Sequence, residues 1–199
     1  MIPHPLARLA VLAASRTLSL ALALAALATG CRYDPVPAQI IADLGPETGT
    51  PGPLHRPGQP CLACHDAYGG ATPALAVAGT VFMLDASMTK LVPAKNVRVN
   101  IVDSAMGGSK HPCTNAAGNF MINTVDWADI VYPLSPVAGS HPMTSLIGRD
   151  GSCASCHKLP DPKAMDPSMD KITGAGRDSA GVVLVGAADV DPACNGGGP

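Results

Sequence analysis

The chain has 199 residues, 47 % of them hydrophobic and 14 % charged, with a formal net charge of −2. Without a basic excess, and with only one Trp, three Tyr and two Phe, it lacks the electrostatic and aromatic signature of nucleic-acid binding. The length suits one domain or a compact pair of modules.

Residues 1–30 read as a secretory signal. Arg8 and Arg16 carry its positive charge, no acidic residue accompanies them, and an apolar run from Leu18 to Leu27 follows. The run is too short and too Ala-rich for a membrane span. Losing this segment removes two positive charges and no negative one, so the net charge moves from −2 to −4. Ala28-Thr29-Gly30-Cys31 resembles the lipobox of bacterial lipoproteins, in which the cysteine becomes the lipidated first residue. Ala28 stands where leucine is usual, and the alternative is ordinary cleavage near Ala28 to Gly30 that leaves Cys31 a free thiol. An unpaired exposed thiol is a liability in an oxidising compartment, which favours lipidation. Arg32 rather than aspartate follows, so the usual inner-membrane retention signal is absent. The expected address is the outer membrane, on its periplasmic face or at the cell surface.

Residues 31–60 contain Gly45-Pro46, Thr50-Pro51-Gly52-Pro53 and Arg56-Pro57-Gly58 and predict an extended tether. Next comes Cys61-Leu62-Ala63-Cys64-His65, repeated later as Cys153-Ala154-Ser155-Cys156-His157. Two thiols separated by two residues can form thioethers to the two vinyl groups of a porphyrin, and the histidine after them reaches the iron. A Cys-x-x-Cys without that histidine would fit a redox dithiol or half a zinc site about as well. Two such pentapeptides behind an export signal predict two covalently attached c-type haems. Cys61, Cys64, Cys153 and Cys156 would hold them, with His65 and His157 as proximal ligands. Turn-rich flanks at Tyr68-Gly69-Gly70 and Leu159-Pro160-Asp161-Pro162 place these motifs on loops or single helical turns. The haem-binding segments are 61–75 and 141–171.

Between them the pattern is that of strands. Val97-Arg98-Val99-Asn100-Ile101 alternates with period two; Val77 to Leu84 and Phe120 to Val125 read similarly. Ile130 to Leu134 is a shorter candidate, and Val182 to Val185 another near the end. Asn115-Ala116-Ala117-Gly118-Asn119 is a hairpin connection. No helical periodicity of useful length follows the signal. The prediction is a mainly β fold: a small antiparallel β-sandwich over 76–140, flanked by loop-rich c-type haem-binding segments, with a tail from 172 to 199. Of seven cysteines, setting aside Cys31 and the four motif thiols leaves Cys113 and Cys194. An even remainder in an exported chain suggests a disulfide clipping the tail to the middle, the alternative being two unrelated thiols.

Ala78-Gly79-Thr80-Val81-Phe82, Ala94-Lys95-Asn96-Val97-Arg98-Val99 and Thr114-Asn115-Ala116-Ala117-Gly118-Asn119-Phe120 resemble the β-sandwich of carboxypeptidase regulatory-like and related carbohydrate-binding-like domains. The chain after the signal also resembles exported bacterial multihaem proteins that carry one haem motif before such a sandwich and one after it. The resemblance implies the sandwich fold and electron carriage. It identifies no partner.

For the distal iron positions, His55, His111 and His141 are available once His4 leaves with the signal. His55 stands just before the first motif among prolines, and His141 mirrors it before the second. His111, near Cys113, and Met143, beside His141, are the alternatives, and Met165 and Met169 follow the second motif. Bis-histidine ligation lowers the potential and histidine–methionine ligation raises it. The expected function is electron transfer by a lipid-anchored dihaem cytochrome exchanging electrons with redox proteins, among them other multihaem cytochromes, with self-association possible. It is read as a carrier and not an enzyme. The competing readings are a dihaem peroxidase-like oxidoreductase, a β-sandwich binding module with accessory haems, and zinc at the two motifs. No acid/base constellation stands beside either motif, and the scarcity of aromatics argues against a sugar platform.

Overall fold

A computed structural model describes residues 35–47, 49–66, 68–105, 107–161 and 167–195. The expected signal and Cys31 lie outside the described residues, as do Met106 and Met165. Among the described residues two helices, α1 (Pro35–Leu44) and α2 (Cys61–His65), precede the strands. These are β1 (Leu75–Leu84), β2 (Leu91–Pro93), β3 (Val99–Val102), β4 (Ser109–Lys110), β5 (Asn119–Asn123), β6 (Ser135–Ala138), β7 (His141–Pro142), β8 (Ala175–Gly176), β9 (Ser179–Ala180) and β10 (Val183–Leu184). The fold is mainly β, as the alternation predicted.

One sheet is built around β1. It pairs antiparallel with β5, Thr80 opposite Asn119 and Ala78 opposite Met121, and with β2 further along. The other sheet runs β4-β3-β6-β7 and is antiparallel throughout. Both sheets feed one apolar cluster: Val77, Val81, Phe120 and Ile122 from the first, Val99, Ile101 and Ala138 from the second, and Trp127 and Leu134 from the connections. Each Val, Leu, Ile or Phe of this cluster, fully buried, contributes roughly 1.5–3 kcal/mol of transfer free energy. The alternation within Asn119-Phe120-Met121-Ile122-Asn123 is therefore a division of labour. Phe120 and Ile122 turn into the core, while Asn119, Met121 and Asn123 turn outward, where they line a cavity.

The structure departs from the sequence reading in four places. The stretch expected to be a tether holds α1, whose prolines sit in the first turn, where a missing N–H costs nothing. Gly45, at φ +66°, ends it in the left-handed conformation usual after a helix. Residues 52–60 are not extended either; they fold back onto the first sheet. Ile130 to Leu134 forms no strand, only a bridge from Leu134 to Ile147, with turns before it. Finally, β10 pairs parallel to β1, so one rung of an otherwise antiparallel sandwich reverses. That pairing follows from the route of the chain, because Ser152 already bridges Ala78 in the parallel sense.

The tail is clipped down as the cysteine parity suggested. Cys113 and Cys194 are at bonding distance, Sγ–Sγ 2.03 Å, across a sequence separation of 81. Arg98 Nε reinforces the clip with an ion pair to Asp191 Oδ2 at 2.6 Å.

Candidate functional site

Both Cys-x-x-Cys-His motifs lie on single helical turns. The first is α2 itself; the second is a 3-10 turn over Cys153–Ser155, closed by Cys156 N–H and His157 N–H donating to Cys153 O at 3.2 and 2.8 Å. A helical turn puts positions one, four and five on neighbouring faces, and Cys61, Cys64 and His65 accordingly line one cavity; at the second motif Cys153 packs against the core and Cys156 is exposed.

The two histidines are also held alike. His65 Nδ1 lies 2.7 Å from Pro73 O, and His157 Nδ1 lies 2.8 Å from Gly181 O. A carbonyl can only accept, so Nδ1 carries the proton in both rings and the lone pair sits on Nε2. This is the tautomer that presents Nε2 to a metal, with the carbonyl fixing the ring. Neither Nε2 has a hydrogen-bond partner among the described residues.

Around the first motif the surroundings form a cavity of about 650 Å³. Cys61, Cys64 and His65 face it from one wall, Ile41 and Leu44 of α1 from another, and Leu75, Asn119, Met121 and Asn123 of the β1–β5 pair make its floor. Its cover is residues 52–60, which bring in His55 and Arg56. The His55 and His65 rings stand 5.7 Å apart between centroids, 29° from parallel. His55 Nδ1 also contacts a backbone carbonyl, that of Gly52, which leaves its Nε2 the free nitrogen. Volume, apolar lining, paired thiols and two imidazoles with free Nε2 atoms together fit a porphyrin held by Cys61 and Cys64.

The second motif is cradled by the tail. Ala180 N–H donates to Cys156 O at 2.9 Å, and Lys158 N–H donates to Ser179 Oγ at 3.3 Å. Asp150 accepts from Ser152 N–H at 2.8 Å and from the Ser155 hydroxyl, setting the entry to the turn. Ser152 Oγ is buried with no hydrogen-bond partner. Cys156 is exposed.

The other histidines named from sequence are engaged elsewhere. His141 Nε2 pairs with Asp189 Oδ2 at 3.0 Å and the ring is exposed. His111 lies on the surface with Nδ1 2.8 Å from Asn100 Oδ1 and Nε2 3.3 Å from Ser109 Oγ. Met143 is half-buried just past β7, its N–H donating to Pro136 O at 3.1 Å. Met169 is half-buried in the segment after the second motif. Met121, which no motif singles out, lines the first cavity; its outward register on β5 is the signal that could have found it.

The second motif and the cover of the first cavity, far apart in sequence, approach β1 at neighbouring residues. A Cβ on Gly79 would lie 2.7 Å from Cys153 Cβ and 2.9 Å from its Sγ. The next residue, Thr80, accepts from Gly58 N–H at 2.7 Å in the cover of the first cavity. Burial raises the Cys61 thiol above its ordinary value. Cys153 is pushed up to about 12, first by burial and then by the negative charge a Cys61 thiolate would carry. Burial thus disfavours the thiolate at the leading cysteine of each motif. Among the described residues no three His, Cys, Asp or Glu side chains converge on a point that a bare metal ion could occupy.

Comparison with known proteins gives no match: no family model, curated protein or solved structure matches the chain.

Proposed function

We propose that the chain carries two covalently bound c-type haems and moves electrons between redox proteins, as a carrier and not an enzyme. Cys61 and Cys64 would hold the first porphyrin and Cys153 and Cys156 the second; His65 and His157, and His55 at the first site, would supply imidazole nitrogen to the irons. When bound, the haem supplies the one-electron chemistry; the chain orients it and keeps water away. One observation carries the reading: the cavity that Cys61, Cys64, His65 and His55 all line, with Nδ1 of both imidazoles held by a carbonyl and Nε2 left unbonded. The matching ring anchorage of His157 extends it to the second motif. The approach of Cys153 to Gly79 and of Gly58 to Thr80, neighbours on β1, supports exchange between the two haems within one chain. Export and a lipid anchor at Cys31 belong to the same proposal and rest on residues 1–31 of the sequence. Among the described residues no helix is long and apolar enough to cross a membrane.

The test is the intact mass and pyridine haemochrome of protein made in a host with haem-maturation machinery. Two added haems are expected, one fewer for the Cys61→Ser/Cys64→Ser variant. His55→Ala should convert one of two irons from low spin to high spin. An intact mass without prosthetic groups would sink the proposal.

A further inference from the structure

We propose that Asn119 is the positioning residue that sets His55 against the first iron, which makes the β-sandwich the element that fixes the coordination of that site. The inference rests on the haem reading above and concerns the residue that controls its distal ligand. Asn119 is 3 % exposed, on the outward face of β5, a place where an apolar side chain would avoid all desolvation cost. Every hydrogen-bonding group of its amide is nonetheless used. Nδ2 donates to His55 O at 2.9 Å and to Pro53 O at 3.2 Å, and Oδ1 accepts from the Thr80 hydroxyl at 2.7 Å. Thr80 Oγ1 in turn accepts from Gly58 N–H at 2.7 Å. Asn115 Nδ2 adds a second bond to Pro53 O, at 2.6 Å.

The cover is therefore tied to the floor at Pro53, His55 and Gly58, and the middle tie is to the backbone of the residue that bears the imidazole. Arg56, the next residue, sits at φ +47°, a strained conformation for a side chain of its size. Its guanidinium holds that conformation by donating to Gly45 O at 2.8 Å and Gln59 Oε1 at 2.9 Å. Strain persists where the surroundings over-determine a position, and here they over-determine His55. A buried amide fully bonded to a ligand-bearing loop fixes where that ligand sits; one that only closed its own turn would need no bond to residues 64 and 66 positions away.

The experiment compares the haem-loaded parent with Asn119→Leu, Thr80→Val and a remote core variant, Ile101→Val, by haemochrome content, ferric spectrum and cyanide titration. Asn119→Leu with both haems attached should show the first iron partly high-spin beyond the parent's spectrum and bind cyanide there about tenfold or more tightly than the parent, since each net hydrogen bond restrains by a factor of about five. Thr80→Val should move in the same direction by less, and Ile101→Val should leave both readouts unchanged. Unchanged spin state and cyanide affinity in a doubly loaded Asn119→Leu would overturn the assignment, as would an equal change in Ile101→Val. If Asn119→Leu does not fold, Thr80→Val decides by the same criteria. A parent that carries no haem removes the underlying reading and this inference with it, an outcome distinct from a loaded parent with unresponsive variants.

Discussion

At the first motif, α1, residues 52–60 and the outer face of β5 close around Cys61, Cys64 and His65, and a second imidazole faces inward. At the second, the β8–β9 hairpin and Gly181 hold the turn, Cys156 is exposed, and His111 and His141 are bonded elsewhere. The pentapeptide and the anchorage of its histidine are the same in both. What differs is the chain that arrives from elsewhere to wall each one. The motif sets which atoms can attach, and the remote segment sets how wet the site is and what reaches its far side.

If the second site depends on its tail, breaking the clip should separate the two most strongly. Replacing Cys113 and Cys194 by serine reopens a loop of separation 81 and should cost about 4 kcal/mol in denaturant unfolding. Hydrogen exchange should then rise at 179–185 well before it rises at 52–60; equal loosening of both would erase the distinction. A smaller effect is expected for Gly79→Ala, whose Cβ would overlap Cys153 and the Phe120 ring. Overpacking of this kind costs roughly 1–3 kcal/mol. Thermal unfolding and peptide mass mapping should show the second motif disturbed and the first intact.

Thiol reactivity sharpens the contrast further. In haem-free protein at neutral pH, iodoacetamide should modify exposed Cys156 first and Cys153, held near 12, last. Mass spectrometry of timed samples would rank them, and Cys153 reacting before Cys156 would contradict the burial argument. The least effect concerns Asp189, which accepts from Ser140 N–H and Oγ, Gly186 N–H and His141. These bonds, the Ser140 hydroxyl foremost, hold its carboxyl well below the usual range. A depressed folded value adds stability that is complete above the unfolded value, about 3.9, and is lost as pH falls below it. Asp189→Asn should therefore flatten the decline in melting temperature below about pH 4 and leave the neutral region's slope unchanged.

Much of this was legible in the sequence because it is written locally. Cysteine spacing marked both motifs, period-two alternation marked β1, β3 and β5, and parity marked Cys113 with Cys194. Helix α1 was missed because two prolines in ten residues read as a linker, although prolines at a helix start are tolerated. The docking of 52–60 was invisible for another reason. Its bonds come from Asn115, Asn119 and Thr80, each an ordinary turn or strand residue until the fold sets it opposite a carbonyl or amide. The approach of Gly58 and Cys153 to neighbouring residues of β1 is likewise a product of topology, since no local pattern relates residue 58 to residue 153.

The separation of 62 to 66 positions between Pro53 and His55 of the cover and Asn115 and Asn119, which hold them, has a consequence for the order of events. A chain emerging from its N-terminus presents Cys61 to His65 long before β5 exists to receive residues 52–60. During that interval the thiols stand open, and assembly of the sheet afterwards encloses them.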